Sequence, residues 1–148
     1  MSSASTMISQ QQLIDAAKAP LLAFNDKDWD TLRATLPSDF VYDEVATGRK
    51  PQGVDQVMSL WQGWAEAFPD AKATFDNALV VDNTVILEVT WRGTHQGQLQ
   101  TAGGPIDPTE NRIDVRACFV VEMAGDRVRQ ERHYFDMCTI LQQLGITA

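Results

Sequence analysis

The residues with the widest chemical scope lie on two short stretches that read as strands. In Val128–Asp136, alternation places Glu131, His133 and Phe135 on one face and Arg132, Tyr134 and Asp136 on the other. In Asp39–Val45, the same rule puts Phe40, Tyr42 and Glu44 together. An imidazole titrates near neutrality and suits removal of a proton alpha to a carbonyl, so His133 is the candidate general base. Glu44 shares its face with two aromatics and needs a partner if buried. Placed across a cavity from His133, it would orient the imidazole and favour its charged form. Tyr42 has a phenol able to donate to a developing oxyanion. The alternative for these three is structural: a hydrogen-bonded histidine, a rim carboxylate and a packed tyrosine.

Further candidates surround them. His95 follows Leu87, Val89, Trp91 and Gly93 in phase, and would touch substrate at the mouth of the cavity or begin a loop. Asp136 is an alternative acid, but it is out of phase with His133. Its competing roles are an ion pair with Arg132 or Arg116, or the cap of a final helix. Trp61, Trp64, Trp91, Phe119 and Phe135 serve as substrate-binding wall and core at once. Arg116, in phase with Asp114 and Cys118, suggests a polar dimer interface rather than a solvated sheet face.

The elements that must hold these residues follow from periodicity. Residues 10–24 repeat at helical spacing, with Pro20 expected to kink or split the helix. Asp28 caps a second helix over Trp29–Leu36. Val54–Phe68 carries a broad apolar stripe that includes Trp61 and Trp64. Strands follow over 73–81, 84–93, 112–123 and 128–136, then a short helix. Residues 94–111 form a long loop of the kind that serves as a lid or rim. Helices followed by a meandering sheet give an α+β fold, with a curved antiparallel or mixed sheet wrapped around the N-terminal helices and a cavity at one end.

The chain has 148 residues, the length of one domain, and 44% of them are hydrophobic, enough for a sizeable core. Residues 1–10 read as a flexible leader without the features of a signal peptide. A net charge of -8 argues against nucleic acid or an anionic membrane as partner. No apolar run is long enough for a membrane-spanning helix. Cys118 and Cys138 read as buried thiols of a reducing cytosol, and the two histidines and two cysteines lack metal-ligand spacing. The expectation is a cytoplasmic protein that takes a hydrophobic small molecule and uses no metal.

Taken together, Phe24-Asn-Asp-Lys-Asp-Trp29, Trp64-Ala-Glu-Ala-Phe-Pro-Asp70, Arg92-Gly-Thr-His-Gln-Gly97, Glu131-Arg-His-Tyr-Phe-Asp136 and Gln143-Leu-Gly145 resemble, in order and spacing, the SnoaL-like polyketide cyclases (ester cyclases) of the NTF2-like superfamily. The resemblance spans nearly all of the chain after about residue 12. It implies a cone-shaped α+β domain over residues 1–148. It also implies cofactor-free acid–base chemistry, an aldol-type cyclisation or isomerisation of a mainly apolar carbonyl substrate; the expected homodimer rests on Arg116 instead. In the related limonene-epoxide hydrolases the last-strand aspartate falls at His133, and a water-positioning tyrosine and asparagine fall at Tyr42 and Glu44. Their Arg-x-Asp pair falls at about Val89 and Trp91, where it is missing, which counts against epoxide opening. Two other functions stay open: a non-catalytic binding module for a hydrophobic molecule, and a hydrolase with an altered site. The fold itself hosts many activities.

Overall fold

The computed structural model describes residues 8–146. Of the expected leader, residues 1–7 lie outside this range, Ser9 is a helix cap and Gln10 opens α1. Helix α1 (Gln10–Asn25) begins with a full capping box: the Ser9 side chain accepts from Gln12 N–H, and the Gln12 side chain accepts from Ser9 N–H. The expected split at Pro20 does not occur, and the helix continues through it. Pro20 sits on the buried face with Ala17, Leu21 and Phe24, where packing outweighs the one backbone bond a proline cannot make.

Helix α2 (Trp29–Ala34) is capped by Asp28 as the sequence suggests, but ends two residues sooner than expected. Strand β1 (Val41–Glu44) leads through a tight turn to α3 (Gly53–Ala67), which buries Val57, Met58 and Trp61. Four long elements follow: β2 (Lys72–Val81), β3 (Thr84–Thr94) and, after an insertion, β6 (Arg112–Ala124) and β7 (Arg127–Phe135). Helix α4 (Met137–Gln143) closes the described fold.

The five-stranded sheet has the order β1-β7-β6-β3-β2. All its pairs are antiparallel except β1 with β7, which run parallel and align Tyr42 with Glu131 and Glu44 with His133. On the inner face, Val85, Leu87, Val89 and Val121 are fully buried beneath the helices. The result is the α+β cone with a mixed sheet. Among the described residues, no helix is long and apolar enough to cross a membrane.

The insertion is more ordered than a plain loop. Residues 99–106 form a small hairpin of β4 (Leu99–Thr101) and β5 (Gly104–Ile106). Its base is fastened to the end of α3, where the Gln96 and Gly97 N–H groups donate to the Ala67 carbonyl. A Cβ at position 97 would lie 2.0 Å from the Glu66 carbonyl oxygen, so only glycine permits this approach.

Candidate active site

The cone encloses a cavity with about 710 Å³ of empty volume, its open mouth included. Apolar and aromatic side chains from α1, α3, β3, β6 and α4 make most of its wall. The five aromatics expected as substrate wall, Trp61, Trp64, Trp91, Phe119 and Phe135, all line it. So do Tyr42, Glu131 and His133, brought together by the parallel register of β1 and β7.

His133 is 7% exposed and lies against Phe119, with ring centroids 3.8 Å apart and planes 14° from parallel. Burial in this aromatic pocket pulls its pKa down to about 3, so the imidazole is neutral at physiological pH. The Trp91 indole N–H donates to His133 Nε2 at 3.3 Å. An indole nitrogen only donates, so Nε2 carries the lone pair and Nδ1 carries the proton. Nδ1 then donates to Tyr42 Oη at 2.9 Å, and the Tyr42 hydroxyl donates to Glu44 Oε2 at 3.1 Å. One directional chain therefore runs from Trp91 through His133 and Tyr42 to Glu44.

Glu44 does not line the cavity or face His133 across it, as the sequence suggested. It is fully buried behind Tyr42, which stands between them. Its two oxygens collect donors on all sides. Arg49 gives Nε at 2.9 Å and Nη2 at 2.7 Å, Trp64 gives its indole N–H at 2.9 Å, and the Thr47 hydroxyl adds another bond. A carboxylate that accepts from every direction is an anchor, not an open base. Burial first, and then the nearby Glu44 and Glu131 carboxyls, raise the Tyr42 pKa well above its ordinary value, so the phenol keeps its proton.

His95 is not in the cavity wall. The strand ends at Thr94, and the bonds to Ala67 turn the chain away. The buried His95 ring packs on Phe68, and its Nδ1 accepts from the Thr109 N–H at 3.1 Å. It therefore fastens the two ends of the 94–111 insertion. Asp136 is also outside the cavity. It caps α4 by accepting from Cys138 N–H and the Thr139 hydroxyl, the capping role foreseen for it, while Arg132 pairs with Glu122 instead. Arg116 lies exposed on the outer face of the sheet, 3.8 Å from Asp76. Cys138 is exposed and Cys118 half-buried, so neither is the buried thiol expected.

Sequence reasoning passed over three residues. Thr47 and Arg49 sit in the turn after β1, and nothing in their spacing shows that this turn folds back on Glu44. Glu131 was placed on the His133 face but given no role. It is fully buried, neither carboxyl oxygen has a hydrogen-bond partner, and burial pushes its pKa up to about 8. The signal was present: a carboxylate two residues before a candidate base, on the same strand face.

The sequence pattern of the SnoaL-like polyketide cyclase family matches residues 14–144. No curated protein matches the chain. Among solved structures, one described as a SnoaL-like polyketide cyclase by assignment, from Jannaschia sp. CCS1, superposes with a TM-score of 0.81 at 17% identity, covering 96% of this chain and 99% of that one. IdmH from Streptomyces antibioticus, described as a polyketide cyclase by assignment, gives 0.76 at 24% identity, covering 91% and 99%. A protein from Catenulispora acidiphila with a ketosteroid isomerase-like fold gives 0.75 at 16% identity, covering 90% and 94%. At these identities the structures establish the shared fold.

Proposed function

The chain belongs to the SnoaL-like polyketide cyclase family, and from that premise we propose that it is a cyclase or isomerase working by acid–base chemistry on a mainly apolar carbonyl substrate. The observation that carries this reading is the directional hydrogen-bond chain ending at His133 Nε2 in an apolar cavity. A neutral imidazole whose Nε2 lone pair is held only by the long bond from the Trp91 indole is set to take a proton at the cavity wall. The long bond from Trp91 is the weakest in the chain and is the one given up when Nε2 takes a proton.

A proton alpha to a carbonyl passes to His133 Nε2, and the electron pair left on carbon delocalises onto the carbonyl oxygen. The Nδ1 proton shifts toward Tyr42 Oη as the Tyr42 proton shifts toward Glu44, which spreads the new positive charge toward the Glu44–Arg49 anchor. In a cyclisation the carbanion attacks a second carbonyl of the same molecule, and the resulting alkoxide recovers the proton along the same path. In an isomerisation the proton returns to a different carbon. A base as weak as His133 suits an acidic carbon, such as one between two carbonyls.

A hydrolase in which Tyr42 and Glu44 hold a water finds less support, because the Glu44 oxygens are already occupied. The proposal includes a homodimer in the cytoplasm, paired through the outer face of the sheet. There Val41, Tyr134, Leu79 and Val81 are 46%, 42%, 50% and 60% exposed. The test of the chemistry is deuterium exchange at the central carbon of an apolar 1,3-diketone, followed by NMR. The wild type accelerates exchange, and His133→Ala reduces the catalysed rate by about 10²-fold or more. Equal rates in the two proteins would sink the assignment and leave the binding-module reading.

A further inference from the structure

The cavity wall satisfies most of its own polar groups. The Trp64 indole serves Glu44, the Trp91 indole serves His133, and the Tyr42 hydroxyl serves both. Among the described residues lining the cavity, Glu131 is the one with buried side-chain oxygens that lack any partner. Its backbone is held between Tyr42 of β1 and Val121 of β6, so the side chain cannot leave the inner face. A buried carboxyl without a partner is costly, and native folds keep few of them.

We propose that Glu131 is a substrate-contacting acid: it presents its carboxyl proton to a neutral carbonyl oxygen of the ligand and holds that oxygen as negative charge develops on it. This rests on the proposed reaction for the second half of the role, while the ligand contact stands independently. Glu131 and His133 face the same cavity two residues apart on β7, one a protonated acid and the other an unprotonated base. Environments that drive two such groups in opposite directions divide acid from base work between them. The titratable groups facing Glu131 are Tyr42 from β1 and His133 from β7, with Glu44 behind Tyr42. The cavity linings from α1, α3, β3, β6 and α4 present apolar and aromatic groups, so nothing there holds a charge on Glu131. The favoured ligand is therefore uncharged, apolar over most of its surface and equipped with a carbonyl acceptor.

The test compares 2-acetylnaphthalene with 2-ethylnaphthalene, two probes of similar shape of which only the first has a carbonyl. Binding is measured by calorimetry to wild type, Glu131→Gln and Glu131→Leu. Wild type prefers the ketone, and its carbonyl stretch moves to lower frequency in the infrared on binding. E131L loses about tenfold of that preference, keeps its affinity for the hydrocarbon and melts at a higher temperature, because an unsatisfied buried group has gone. E131Q retains a donor and therefore the preference. Wild-type ketone affinity falls as pH rises through about 8, whereas that of E131Q does not. A wild type without preference for the ketone, or an E131L protein with undiminished preference, overturns the proposal. Exchange by His133→Ala is read separately, so loss of one role leaves the other standing.

Discussion

Tyr42 Oη lies 2.9 Å from His133 Nδ1, and this one contact links residues 91 positions apart and joins the cavity to its buried anchor. The tyrosine acts as a spacer with a proton. It lets Glu44 influence the imidazole without standing beside it, so the imidazole stays neutral while a route for its positive charge is kept.

Removing that spacer separates geometry from proton traffic. Tyr42→Phe retains the ring that packs edge-on against Trp61 but breaks the chain on both sides. Turnover on an activated ketone is expected to fall about 10²-fold with KM changed only a few-fold. An unchanged kcat would show that charge on His133 needs no relay.

The two neutral groups give opposite slopes to stability against pH. Glu131 has its folded pKa raised from 4.5 to about 8, so the folded protein holds a proton that the unfolded chain releases, and stability falls as pH rises from about 4.5 to 8. His133 has its folded pKa lowered from 6.5 to about 3, so the unfolded chain binds the extra proton, and stability falls as pH drops from about 6.5 to 3. Their slopes cancel between 4.5 and 6.5. Melting curves of E131Q should lose the decline above pH 6.5, and those of His133→Gln the decline below pH 4.5, each relative to wild type. Parallel profiles for variant and wild type would contradict the burial argument.

Arg49 is 39% exposed in its side chain while its partner Glu44 is fully buried. Arg49→Ala leaves a buried carboxylate with fewer donors, and a loss of about 1–2 kcal/mol is expected after allowing for solvent reaching the site. Glu44→Ala strands the Trp64 indole and the Tyr42 hydroxyl, and should cost more than R49A in urea titrations. The reverse order would mean that the anchor is the arginine.

Gly97→Ala forces a methyl group into the backbone at the end of α3. Destabilisation of about 1–3 kcal/mol is expected, with faster hydrogen exchange in residues 94–111 and little change in the cavity. Tyr134→Glu on the outer sheet face should shift a dimer toward monomer in sedimentation velocity. A wild type that sediments as a monomer would remove the homodimer from the proposal.

Strand alternation was enough to gather most of the site, because a period of two leaves no freedom once one residue is placed. Phe40, Tyr42 and Glu44 came together on that rule, as did Glu131, His133 and Phe135. The α+β cone followed from the element order. What alternation does not carry is the path of turns. Arg49 reaches Glu44 only because the chain doubles back at residues 45–49, where Glu44 and Arg49 pair as an isolated bridge. His95 kept strand phase in the sequence but lies beyond the strand's end, where the bonds to Ala67 redirect it. The β4–β5 hairpin turns at Ala102-Gly103, a two-residue turn within a stretch whose length reads as a plain loop. Pro20 misled in the other direction, since a proline is tolerated where helix packing supplies more than the missing bond.

The parallel pairing of β1 with β7 has a consequence for how the protein comes into being. Antiparallel hairpins such as β6–β7 can form as soon as both strands exist, because little chain separates them. The β1–β7 ladder must close a loop of roughly ninety residues before its first hydrogen bond forms, which places it late in folding. During synthesis, β1 therefore waits without its strand partner, and Tyr42 without His133, until the last strand has emerged. The proposed site is thus among the last things to appear as the chain folds, and a stall before residue 127 leaves a partly built cone in which neither His133 nor Glu131 is yet present.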